Sequence, residues 1–220
     1  GYVYSGPVAA SVYVRLQPFR QRISRVVLLG PAHRAWVSGL ALPEEQAFAT
    51  PLGEVCVDRE ACALIRKLAQ ISVSTRAHAL EHSLEVQLPF LQTVLEHFSI
   101  VPLAVGDVTA QQVCEVLELL WGGPETLIVI SSDLSHYLPY ATAQAVDHTT
   151  AQSILGLQSP LSHQQACGAT PINGLLLAAR RRGLSPQLVD LRNSGDTAGS
   201  RDQVVGYAGF IFTEVAAHAQ

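Results

Sequence analysis

Five side chains able to do chemistry stand where apolar runs or helical patterns begin or end. Leu127, Ile128, Val129 and Ile130 follow the turn signal Gly122-Gly123-Pro124 and give way at once to Ser131, Ser132, Asp133, Ser135 and His136. A short β-branched block of this kind reads as a strand buried on both faces of a parallel sheet. In open α/β sheets ligands bind beyond the carboxyl ends of the strands, so Asp133 and His136 are candidates for orienting a ring and moving a proton. The same Ser and Asp equally suit a capped loop. Arg25 to Leu29 repeats the pattern, an apolar run that stops in Gly30-Pro31-Ala32-His33-Arg34.

His82 precedes a helical pattern, and Cys167 stands just ahead of another. A thiol there meets the positive end of the helix dipole, which favours the thiolate, the form that binds metals or attacks carbon. Two neutral imidazoles and one anion, with positions left open, is the arrangement of open-site iron chemistry, where the anion is usually a carboxylate. His33, His82 and Cys167 are therefore candidate ligands. A local pattern competes: His78-Ala79-Leu80-Glu81-His82 matches H-x-x-E-H, in which two His on one helix bind zinc and the Glu handles water. That chemistry needs a continuous helix across all five residues. Cys56, Cys62 and Cys114 lie in or near apolar patterns and read as inert packing, while His97, His148, His163 and His218 read as solvated.

The elements that must position these groups alternate. Strands are expected at Arg25–Leu29, Ile71–Thr75, Ser99–Val105, Leu127–Ile130, Leu188–Leu191 and Val204–Phe212. Helices are expected over Ser11–Phe19, after Asp58, over His78–Phe98 with a kink or restart at Pro89, after Thr109, and over Thr142–Leu157. Asp58 is a cap, and Thr109 with Gln112 spells a capping box. Thr170 is the expected cap of a last helix that has Pro171 at its first position, three arginines at its end and Gly183 beyond. Tyr2, Tyr4, Gly6 and Pro7 suggest a tight turn, and Trp36 to Val57 an irregular excursion or short antiparallel pieces. The sum is a single α/β domain, residues 1–220, with a mostly parallel sheet.

Composition narrows the function class. Charged residues make up 15% against roughly a quarter in typical domains, while 48% are hydrophobic, which suggests a large core or an oligomeric interface, most simply a dimer. A net charge of −4, with no basic run longer than Arg180-Arg181-Arg182, argues against nucleic acid as a partner. No apolar run approaches the ~18 residues of a membrane helix, and a cytoplasmic protein is expected. The four cysteines form no CxxC pair and give no sign of a disulfide framework. The chain has no Met and opens inside a motif, so a segment ahead of Gly1 is expected.

Several motifs occur together in order: GYVYSGP at Gly1, GPAHR at Gly30, ATPLGEV at Ala49, EHSLEVQLPFL at Glu81, SSDLSHY at Ser131, CGATPI at Cys167, and NSGD at Asn193 followed by VVGYAGF. In combination they resemble the Memo family (mediator of cell motility), most closely its prokaryotic branch, AmmeMemoRadiSam system protein B. The resemblance implies the α/β sandwich around a mixed sheet of the class III extradiol ring-cleavage dioxygenases (LigB-like), with a metal pocket. It implies His33, His82 and Cys167 as ligands of a divalent metal, Fe(II) first and copper or zinc otherwise, with His136 as acid/base and Asp133 beside it. It further implies a redox role alongside AMMECR-type and radical-SAM partners; the alternative is a scaffold that uses the old pocket to bind a peptide or partner protein. Two departures stand out: a thiolate replaces the dioxygenases' carboxylate ligand, and the His that the family carries just before GYxYSG would precede Gly1.

Overall fold

Neighbouring residues of one central strand feed opposite layers of the core. The computed structural model describes residues 1–214. Its strands are β1 (Arg25–Pro31), β2 (Leu40–Leu42), β3 (Ala47–Thr50), β4 (Gly53–Cys56), β5 (Ile71–Val73), β6 (Ser99–Val105), β7 (Thr126–Ile130), β8 (His136–Leu138), β9 (Leu184–Asn193) and β10 (Val204–Glu214). Its helices are α1 (Tyr2–Tyr13), α2 (Arg59–Ile65), α3 (Thr75–His78), α4 (Leu88–Val94), α5 (Ala110–Leu120), α6 (Tyr140–Leu155) and α7 (Ala169–Arg182).

The main sheet runs β5-β2-β6-β1-β7, with β2·β6 its only antiparallel pair. Side chains alternate across a strand, so Val26 and Leu28 join one core with Leu88 and Leu91 of α4, while Val27 and Leu29 join another with Ile65 of α2 and Leu117 of α5. Each fully buried leucine contributes roughly 1.5–3 kcal/mol. A second, antiparallel sheet, β8-β10-β9, packs with Ile154 of α6 and Ile172 and Leu176 of α7 over a third core. Trp36 to Val57 resolves into β2 and the antiparallel β3–β4 hairpin.

Local signals hold where a side chain can satisfy them. Asp58 caps α2 by accepting the Ala61 amide, Thr109 and Gln112 form the capping box of α5, and Gly183 ends α7 in the left-handed region at φ 66°. Four expectations are corrected. The turn expected around Gly6-Pro7 is part of α1, and only the following Val14–Phe19 is 3-10 helix. Pro7 and Val3 are both exposed, so the carbonyl that loses its donor faces water, and packing of Val8 and Tyr13 decides the conformation. The helix expected over His78–Phe98 is broken into α3, a turn, 3-10 residues Glu85–Gln87 and α4, with Pro89 in the first turn of α4. Helix α7 starts at Ala169 behind Gly168 without a side-chain cap, so Thr170 is not its cap. Strand β7 is an edge among the described residues: Leu127 and Val129 pack on one core and Ile128 and Ile130 on the other, but the strand is only half-buried along its length, not fully buried. His218 lies outside the described residues.

Candidate functional site

Four chain segments meet at the carboxyl ends of β1 and β7. Gly30 lets them approach: a Cβ there would stand 2.7 Å from Ser83 Oγ, which itself donates to Pro31 O at 2.8 Å. Gly168 does the same for the segment before α7, since a Cβ would come within 2.8 Å of Ser131 O and of Ser132 Cβ. Its amide instead donates to Ser132 Oγ at 2.8 Å. The two glycines bring the His33, Glu81–Ser83, Ser131–Asp133 and Cys167 segments around one cavity of about 960 Å³.

Glu81 is the fixed point. Its carboxylate accepts the backbone amides of His82 at 3.0 Å, Ser83 at 2.9 Å and His33, and also faces His33 Nδ1 at 3.0 Å. Its side chain is 1% exposed. Burial alone would raise its pKa, but the His33 ring and the amides outweigh that and hold the carboxyl near 2. With Nδ1 committed to Glu81, His33 has Nε2 left to use. The nearby Cys167 thiol, with Glu81 behind the ring, raises His33 to about 9 against the opposing effect of burial. Cys167 in turn receives the Asp133 amide at 3.2 Å and lies 3.7 Å from Ser132 Oγ. Burial pushes the thiol up, but the nearby His33 ring and the Asp133 amide more than reverse it, holding the thiol below its ordinary pKa.

The sequence-derived residues fall into two clusters. His33 and His82 group with Glu81, their rings stacked with centroids 5.3 Å apart. Cys167 groups with Asp133 and His136. The clusters share one cavity, which His33, His82, Asp133 and Cys167 all line and His136 does not. His136 Nε2 lies 3.7 Å from Asp133 Oδ2, and that carboxylate raises its pKa despite partial burial. Buried Asp147 fixes the same segment by accepting the Ser135 amide at 3.0 Å. On the other side, buried Tyr13 donates to Gln87 Oε1 at 2.8 Å, and Gln87 Nε2 donates to Ser131 Oγ at 2.8 Å, tying α1 to the end of β7. Tyr13 also stacks on Phe90 with centroids 5.2 Å apart.

The zinc-peptidase pattern does not form. Helix α3 ends at His78, whose buried Nε2 bonds Ala41 O at 2.9 Å, and Glu81 is turned to His33. In the sequence Glu81 stands out only as that motif's base; the cue to its structural role is an acid followed at once by His82 and Ser83, whose amides it accepts. Among the other cysteines, Cys114 is buried as expected but Cys56 is exposed. His97, His148 and His163 are exposed, His163 touching Cys167 O at 3.3 Å and Thr170 Oγ1 at 3.2 Å.

A family model described as Memo-like protein matches residues 1–211. A MEMO1 family protein of Sulfolobus acidocaldarius is 36% identical over 226 residues, covering 96% of this chain and 79% of the relative. One of Methanopyrus kandleri is 37% identical over 227 residues, covering 96% and 80%. A crystal structure of uncharacterized protein JW3007 from Escherichia coli K12 shares the fold, with TM-score 0.58 at 14% identity, over 92% of this chain and 91% of that one. No described helix is long and apolar enough to cross a membrane.

Proposed function

This chain belongs to the Memo-like protein family, and from that premise we propose that its cavity is a divalent-metal centre of a redox enzyme, with His33, His82 and Cys167 as ligands. The observation that carries this reading is the Glu81–His33 pair beside Cys167: a buried carboxylate holds Nδ1 of an imidazole, leaving its other nitrogen for the cavity that His33 and Cys167 both line. A carboxylate behind the ring is the usual partner of a metal-bound histidine, fixing its tautomer and raising its basicity. Two imidazoles and a thiolate suit Fe(II), copper or zinc, whose ligands they commonly are. An ion bound there would supply Lewis-acid or one-electron chemistry.

The chain's own residues do the rest. Glu81 keeps His33 oriented, and the Asp133 amide and Ser132 hydroxyl steady the sulfur charge. His136, with Asp133 at its Nε2, is placed to hold or pass a proton within a few ångströms of Cys167. The half-exposed His82 leaves one side of the cluster open to an incoming molecule.

The test is metal content after anaerobic purification, with affinities compared between wild type and Cys167→Ala. The expected result is a bound first-row metal and an affinity loss in the variant beyond the ~10–100-fold that outer-shell partners cost. Equal binding by the two proteins rejects the ligand role. The Glu81-held His33 ring and Cys167 on one cavity also favour a second reading, a Cys-His-Glu nucleophile, since a thiol with an oriented base is the general form of such sites. Alkylation of Cys167 separates them: metal protects the thiol on the first reading and leaves it reactive on the second.

A further inference from the structure

One buried charge takes no part in the proposed metal centre. The inward stripe of α6 is Ala143, Asp147, Thr150, Ala151 and Ile154, and Asp147, 3% exposed, is its only ionisable member. An apolar residue would suit that face better, since a buried carboxylate is costly unless its oxygens are met. Burial raises its pKa, and the Ser135 amide opposes that only in part. That amide donates to Asp147 Oδ1 at 3.0 Å. Oδ2 lies against the α-carbon of Gly206, where a Cβ would collide with it. Gly206 is in turn tied twice to the same segment: it accepts the Leu134 amide and donates to Ser135 O, each at 2.8 Å. Asp147, Gly206 and Ser135 make one packed knot, in which Ser135 is wholly buried.

What the knot holds is an irregular strand. In β8, His136 faces Val205 and Leu138 faces Val204, so Tyr137 is an extra residue, a β-bulge. Its φ is 56°, in the left-handed region that glycine usually fills in such a bulge and that a bulky residue enters only under constraint. Tyr137 is 69% exposed, so burial of its own ring does not impose that backbone. Bulges re-aim the side chains beside them, and the side chain beside this one is His136, whose Nε2 stands 3.7 Å from Asp133 Oδ2. We infer that Asp147 is the positioning residue of His136: by holding the Ser135 amide it keeps the Tyr137 bulge closed on β10, and the bulge sets the ring beside Asp133. This rests on the reading of His136 as the group that holds or passes a proton. A purely structural Asp147 would steady α6 against β10 and leave the ring where it is.

NMR titration of His136 in two variants tests this. Asp147→Ala removes the acceptor, and Asp147→Asn keeps an oxygen for the Ser135 amide while removing the charge. The expected result is a roughly three- to tenfold fall in the proton affinity of His136 in Asp147→Ala, with a near wild-type titration in Asp147→Asn. Wild-type affinity in both variants overturns the inference. An equal fall in both does so too, since Asp147 would then act by charge rather than by position. Tyr137 gives an independent reading at an exposed site. Tyr137→Gly should keep the His136 titration, whereas Tyr137→Val, whose branched side chain resists positive φ, should lower it as Asp147→Ala does. A titration indifferent to Tyr137→Val removes the bulge from the account and the inference with it. An ordinary His136 pKa in the wild type removes the proton-holding reading and this inference together; a raised one that Asp147→Ala leaves unmoved removes this inference alone. Should Asp147→Ala fail to fold, Asp147→Ser, too short to reach the Ser135 amide, takes its place under the same outcomes.

Discussion

Two carboxylates serve the histidines of the site, Glu81 between His33 and His82 and Asp133 at His136, and they are built in opposite ways. Glu81 is sealed, its side chain 1% exposed and its oxygens occupied by three amides and a ring nitrogen. Asp133 has a side chain 44% exposed and one loose approach, 3.7 Å, to His136. A sealed carboxylate with every lone pair used is suited to holding geometry, because moving it would strand buried donors. An open one is suited to exchanging protons, because water and a ring compete for it on similar terms. Asp58, remote from the cavity, lies between these extremes, capping α2 and pairing with Arg25 at 2.7 Å.

The comparison can be broken by removing each acid in turn. Glu81→Ala should cost about 3–5 kcal/mol in urea unfolding, since it leaves buried amides without an acceptor; a loss under about 1 kcal/mol would mean Glu81 does not hold the loops. Asp58→Asn should cost about 1 kcal/mol, the usual range for a weakened cap and a half-buried pair. Burial raises the Asp58 pKa, but the Ala61 amide and Arg25 pull it below its ordinary value. A carboxyl depressed on folding adds stability above its unfolded pKa, near 3.9, and loses it as pH falls through the folded value. Wild type should therefore lose its margin over Asp58→Asn only below about pH 4, and parallel stability curves down to acid pH would contradict this. Asp133→Asn should shift stability by less than about 0.5 kcal/mol, as at other exposed positions, while NMR titration shows His136 moving back toward its ordinary pKa. An unmoved His136 would detach it from Asp133.

How far the sequence foretold this arrangement depends on what each signal encodes. The strands β1, β6 and β7 and the caps at Asp58, Thr109 and Gly183 were legible because each is local: a β-branched run, a side chain three residues from its amide, a glycine with positive φ. The positions of His33 and Asp133 at strand ends followed from those strands, and that of Cys167 from the helical pattern that begins just after it. What a strand pairs with is not local. Strands β6 and β7 both flank β1 and both read as apolar runs, yet β6 is buried along nearly all its length and β7 only half-buried. The helix at Tyr2 was hidden by Gly6 and Pro7, whose turn preference is overridden by contacts with distant residues such as Phe90. Glu81 was misread because a five-residue pattern presumes a continuous helix, and the break after His78 is set by the buried Ala41 carbonyl that His78 meets. Thr170 lost its capping role to Gly168, whose close approach to Ser131 and Ser132 no propensity records.

The Tyr13–Phe90 stack gives the fold a spectroscopic handle. The phenol is buried and its hydroxyl is held by Gln87, so the ring is fixed in an asymmetric environment at the junction of α1 and α4. Its near-ultraviolet circular dichroism therefore reports the docking of α1 in particular, and its loss ahead of the far-ultraviolet signal during denaturation would time the release of that helix from the rest of the chain.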